Sequence, residues 1–108
     1  MAIPYSPLNS TMNISRFALC ETPFYYYNLT LLQQTLDSIT AATADSPNFH
    51  VHYALKACVA HEVLQIIAQH GFGADCVSGG EIEMAHQHGF AANDIVFAGV
   101  GKADWEIL

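Results

Sequence analysis

Lys56 has the strongest claim to chemistry. It is one of only three basic side chains, with Arg16 and Lys102, and it closes the run His50-Val51-His52-Tyr53-Ala54-Leu55-Lys56. Strand side chains point alternately to the two faces. Val51, Tyr53 and Leu55 therefore share a face suited to packing under helices, while His50, His52, Ala54 and Lys56 share the other. An amine at the C-terminal end of a parallel strand stands where α/β and barrel folds keep their reactive groups. Partial desolvation there would lower its pKa and make it a nucleophile toward an aldehyde, which is the chemistry of a Schiff base. At this level a blander reading stays open, a lysine that snorkels to water from the end of its strand.

Two carboxylates stand out next. Asp75 interrupts an apolar strand pattern and has little structural reason to be there. Glu81 does have one, because Ser78-x-x-Glu81 is a capping box in which serine holds the N3 amide and glutamate reaches back to the N-cap amide. Cap and site are both open for Glu81, and the roles can coexist. Gly79-Gly80 at a helix start is weak evidence for a phosphate cradle. Glu83, His86 and His88 suggest a metal, but residues two apart on a helix do not face each other, so a solvated helix face is expected and no metal site.

The elements that would position these groups are short strands alternating with helices. Four apolar or β-branched runs recur at similar intervals: Phe24 to Asn28, His50 to Lys56, Ala74 to Val77, and Ile95 to Ala98. Between the first two, Leu29, Leu32, Leu36 and Ile39 fall on one face at the helical period, and Val63, Leu64, Ile67 and Ala68 repeat the pattern. Gln69-His70-Gly71-Phe72 and Gln87-His88-Gly89-Phe90 end two helices alike, with glycine available for the left-handed C′ position and phenylalanine able to fold back on the last turn. A fourth helix is expected from around Ala103. Residues 1 to 22 show no sustained period and read as a leader segment, with one short strand expected around Phe17 to Leu19. Strands joined through helices make a parallel sheet, and periodicity alone does not choose between a doubly wound sheet and a (β/α)8 barrel.

Tyr53-Ala54-Leu55-Lys56-Ala57 resembles the Tyr-Ala-x-Lys-Ala motif of the pyridoxal-phosphate-dependent decarboxylases of the alanine-racemase-like barrel class. Gly73 to Glu81 resembles the segment following that family's third strand, Ile95 to Lys102 its fourth strand, and Thr22-Pro23-Phe24-Tyr25 its first. The resemblance implies an α/β fold of parallel βα units forming the first half of a TIM-type barrel over residues 23–108, about four units. It implies pyridoxal 5'-phosphate as cofactor, Lys56 as the catalytic residue that holds it, and Asp75 and Glu81 near it. His50 and His52 would then sit in the lower layers of the barrel interior. Ser78-Gly79-Gly80-Glu81 with Gly99-Val100-Gly101-Lys102 leans toward the branch that converts meso-diaminopimelate to L-lysine. Alternatives are ornithine or arginine decarboxylation, alanine racemisation, or a non-catalytic protein binding the cofactor on the same barrel. Cys58 departs from the family pattern, which has Asn after Lys-Ala. The family's phosphate loop, β-domain and cross-subunit residues have no counterpart here, so the chain alone is expected to be inactive.

Composition sets the remaining bounds. With 108 residues, 52% hydrophobic and 12% charged, the chain can build a core and is no candidate for disorder. Its apolar richness implies surfaces meant to be covered, and a homo-oligomer is expected; the family resemblance implies a small-molecule amino-acid substrate. A formal charge of −7 removes the electrostatic attraction that nucleic-acid binding needs. No apolar run is long enough for a membrane span, and a cytoplasmic protein is the default expectation. Three scattered cysteines, Cys20, Cys58 and Cys76, fit reduced thiols better than disulfides or structural zinc.

Overall fold

A computed structural model describes residues 14–108. The part of the expected leader that falls on residues 1–13 lies outside the described residues. Helix α1 (Leu29–Thr43) starts where Asn28 accepts the Leu31 amide on its side-chain oxygen at 3.0 Å, satisfying one of the donors that every helix N-terminus leaves free. There follow β1 (His52–Ala54), α2 (His61–Gln69), β2 (Gly73–Cys76), α3 (Gly79–Gln87), β3 (Ile95–Phe97) and the short α4 (Asp104–Ile107). The three strands form one parallel sheet in the order β1-β2-β3, with Ala54 opposite Asp75 and Asp75 opposite Val96.

The alternation expected of the strands organises the packing. Leu55, Ala74 and Cys76 point to the helix side and are fully buried with Leu64 and Ala85, and Ile67 and Phe90 complete the layer. Removing a leucine-sized side chain from water in this way is worth about 1.5–3 kcal/mol before packing is counted. His52, Ala54, Gly73, Asp75 and Val96 alternate to the opposite face.

Both glycine-terminated helices close as expected, with Gly71 at φ 77° and Gly89 at φ 94°. At the end of α3 the Phe90 amide donates to the Ala85 carbonyl at 3.1 Å and the Gly89 amide to His86 at 3.2 Å, a Schellman pattern that buries Phe90. The histidines add a second device. His70 and His88 each donate from Nδ1 to the carbonyl four residues back, Ile66 at 2.8 Å and Met84 at 2.7 Å. Their Nε2 atoms reach the preceding helix, Asp37 at 3.1 Å and His61 at 2.9 Å respectively.

Three expectations need correction. Phe17 to Leu19 is not a strand but part of a 3-10 turn, Ile14–Leu19. Phe24 to Asn28 pairs with no strand among the described residues, so the sheet has three strands rather than four. The segment keeps the two-sided alternation of a strand: Phe24 and Tyr26 contact Phe17 at 5.5 and 5.1 Å between centroids, and Tyr25 stacks with Tyr27 at 6.3 Å. Its aromatic residues thus satisfy each other and Phe17 instead of a ladder. Finally, the strand expected through Lys56 stops at Ala54, and Leu55–Ala57 is a 3-10 turn.

Candidate functional site at the C-terminal ends of the strands

The turn after β1 places Leu55 in the core with no exposure and leaves Lys56 on the surface. Burying Leu55 fixes the turn, and the next side chain must then leave the core. Lys56 lines an open cleft of about 680 Å³ together with Tyr25, Tyr27, Cys58 and Glu81. The desolvation expected around Lys56 is therefore not supplied by these residues, because the lysine is exposed.

Glu81 reaches the cleft from the first turn of α3. Ser78 caps that helix by accepting the Glu81 amide at 3.2 Å. The Glu81 carboxylate turns back as a capping box requires, but takes the Val77 amide, at 2.8 Å, one residue before the expected partner. Cap and cleft-lining group are the same residue. The Gly79 amide, which a phosphate cradle would use, instead donates to the Glu106 carboxylate at 2.9 Å.

Asp75 is not on the lining of that cleft. It sits on the central strand between Ala54 and Val96, and its Oδ1 is buried with no hydrogen-bond partner among the described residues. A buried carboxylate oxygen without a donor is costly, so this acceptor is suited to a donor from outside the described residues. Among those residues no ion pair joins Lys56 to Asp75 or Glu81, and the one ion pair present is His70 with Asp37. Lys56 and Glu81 are brought together; Asp75 stands apart on the same sheet.

The electrostatics of the neighbourhood follow from burial and from these carboxylates. Burial, reinforced by the charges of Glu81 and Asp75, pushes the Cys76 thiol up to about 11. A hydrogen bond with the Cys58 side chain raises the Tyr27 hydroxyl, followed in weight by desolvation. Desolvation raises the Tyr53 hydroxyl, which donates to the Cys58 carbonyl at 2.9 Å. Cys58 thus meets two tyrosines beside the cleft, a role that sequence reading missed; its departure from the family pattern was the available signal.

The other expected groups lie elsewhere. His50 and His52 line a separate cleft of about 200 Å³ at the N-terminal ends of the strands, with Asp94 and His70. Glu83 accepts the Gln87 side-chain amide at 3.1 Å, His86 is exposed, and His88 is engaged with Met84 and His61. No group of three or more potential ligands converges on a metal position among the described residues.

A parallel βα sheet with a lysine just beyond a strand end defines the class: an α/β domain that presents an amine at the C-terminal face of its sheet. The chain belongs to the family described as pyridoxal-dependent decarboxylase, pyridoxal binding domain, whose model matches residues 32–107. It is 56% identical over 94 residues to the diaminopimelate decarboxylase of Bacteroides thetaiotaomicron, covering 87% of this chain and 24% of that protein. To the enzyme of the same name from Helicobacter pylori it is 40% identical, covering 84% of this chain and 22% of the relative. The crystal structure of the H. pylori diaminopimelate decarboxylase complexed with L-lysine superposes with a TM-score of 0.76 at 35% identity, over 88% of this chain and 24% of that one. The chain thus spans about a quarter of the length of the curated relatives it matches.

Proposed function

We propose that the chain supplies the lysine-bearing part of a pyridoxal-phosphate site in a protein that decarboxylates meso-diaminopimelate to L-lysine. The observation that carries this reading is the meeting of Lys56 and Glu81 in one open cleft at the C-terminal ends of the strands. The buried, unpartnered Asp75 Oδ1, off that lining on the face of the sheet away from the helices, adds a free acceptor to the amine and the tethered carboxylate, and these groups fit a pyridoxal group. Lys56 would hold the cofactor covalently, with Tyr25 and Tyr27 beside it on the lining. When bound, the cofactor accepts the electron pair left as carbon dioxide departs. Glu81, held by the Val77 amide, keeps its carboxylate at a defined place on the lining that it shares with Lys56.

Self-association belongs to the same proposal. Among the described residues β3 is paired on one side only, and Val96, on the face away from the helices, is 43% exposed; such an edge can accept a strand from a second chain. Light scattering at tens of micromolar that finds only monomer would count against it. The cytoplasm is the compartment we infer, supported by three free thiols. No helix among the described residues is long and apolar enough to cross a membrane.

The test of Lys56 is reductive trapping. The chain is incubated with excess pyridoxal phosphate, reduced with borohydride and digested, and the pyridoxyl mass is located by sequencing. Lys56 should carry the label and lose it in Lys56→Ala. Lys102 should be poorly labelled, because its ammonium is engaged over the Phe97 ring, 5.1 Å from the centroid, and is not on the lining of the Lys56 cleft. Label confined to Lys102, or spread equally over Lys56, Lys102 and the N-terminal amine, would overturn the assignment.

A further inference from the structure

We infer that Glu106 is a positioning residue for the Lys56–Glu81 cleft: its carboxylate anchors the turn from which Glu81 projects. The inference rests on the reading of that cleft as the pyridoxal site. Glu106 lies in α4, 27 positions beyond Gly79, and its two oxygens do different things. Oε2 accepts the Ala103 amide at 2.9 Å, which is ordinary capping of its own helix. Oε1 accepts the Gly79 amide at 2.9 Å, and Gly79 is the first residue of α3.

That second bond fastens a specific turn. Of the donors at the start of α3, the Glu81 amide goes to Ser78 Oγ and the Ile82 amide to the Ser78 carbonyl. The Gly79 amide has no partner within the turn, and Glu106 fills the gap with a charge that the positive end of α3 favours. Both bonds hold the Glu106 carboxyl below its ordinary range, as expected of a carboxylate accepting two backbone amides. Trp105 closes the same junction. A side chain at Gly79 would meet its ring atoms at 3.1 and 3.2 Å, so glycine is what lets the indole lie against the turn.

The turn so fastened carries Ser78, Gly79 and Gly80, and the Glu81 carboxylate folds back across it to the Val77 amide. If Glu106 merely caps α4, the Ala103 bond is sufficient and loss of Glu106 stops at Ala103 and Gly79. A positioning role reaches further, to the Val77 amide that Glu106 never touches.

Amide hydrogen exchange on the full chain separates the two. In Glu106→Ala the Val77 amide should exchange roughly three- to tenfold faster than in the parent, the factor of one modest hydrogen bond. Glu106→Gln keeps one acceptor oxygen and should fall between, and it carries the comparison if the alanine variant does not fold. Accelerated exchange at Gly79 and Ala103 with Val77 unchanged would overturn the proposal. So would equal acceleration at Val77 in Ile107→Ala, which loosens α4 without touching Gly79. Reductive labelling of Lys56 in the parent chain is read in parallel. Its failure speaks against the pyridoxal site, while the Val77 rate still decides what Glu106 holds.

Discussion

Gly73 begins the central strand, and its substitution by alanine tests whether the sheet is packed as described. Gly73 does not adopt a positive φ, so any cost is steric rather than conformational. An added Cβ would lie 2.5 Å from the Asp94 carbonyl oxygen and 2.6 Å from His52 Nε2, with His52 Cδ2 also in contact. The histidine ring is half-buried and can rotate away. The Asp94 carbonyl cannot, because it leads directly into β3, whose register with β2 is set at Ala74 with Ile95 and Asp75 with Val96. Relief requires β3 to slide relative to β2.

Overpacking of this kind costs about 1–3 kcal/mol, and the backbone component places Gly73→Ala at the upper end. Gly80→Ala is the matched control. Its added Cβ would meet nothing nearer than Ser78 Oγ at 3.9 Å. In a helical first turn it should be neutral or stabilising by up to about 1 kcal/mol. Urea denaturation followed by far-UV circular dichroism should therefore separate the two variants by about 2–4 kcal/mol. In His52→Ala/Gly73→Ala the cost should persist in part, because the Asp94 contact remains. A Gly73→Ala variant within about 0.5 kcal/mol of the parent, smaller than any steric cost argued above, would refute the packing.

Leu64→Ala removes one of the largest fully buried side chains and should cost about 2–5 kcal/mol in the same assay. Cys76 should resist iodoacetamide at pH 8 while exposed Cys20 and half-buried Cys58 react, the order being read by mass spectrometry of the folded and urea-unfolded chain. Because its thiol is raised from 9.0 to about 11, the native state holds the proton more tightly than the unfolded chain. That stabilising difference is intact below the ordinary thiol range and is lost as pH rises through about 9 to 11, which Cys76→Ala should flatten. His70→Ala removes both a helix-terminal bond and the link to α1 and should cost about 1–2 kcal/mol. Asp37→Asn should cost less than about 1 kcal/mol, because Asp37 is 73% exposed and its ion pair is screened.

Sequence reading succeeded where structure is decided by near neighbours. Ser78, Gly71 and Gly89 act within one helical turn of their own position, so their types announced the helix ends. The same holds for Leu55 and Leu64, whose burial follows from period alone. It failed where the outcome depended on distant partners. Phe24 to Asn28 has the composition of a strand, but composition does not provide a neighbour to pair with, and the rings found Phe17 instead. The Gly79 link to Glu106 is 27 residues long and leaves only a faint trace, a glutamate as the third residue of a helix that lacks a polar cap.

The candidate site inherits this division. Lys56 and Glu81 each reach the cleft by local means, one through the turn that follows a buried leucine and the other through a helix cap. Asp75 depends instead on the sheet: the strict alternation that buries Ala74 and Cys76 against the helices drives Asp75 to the opposite face, where its Oδ1 has no partner. Turning Asp75 toward the helices would require a one-residue slip of β2, which would carry Ala74 and Cys76 out of the core. The apolar packing on one side of the sheet therefore compels a half-buried aspartate on the other. The cost of leaving its buried Oδ1 without a donor is the physical reason why the proposed cofactor site belongs on that face.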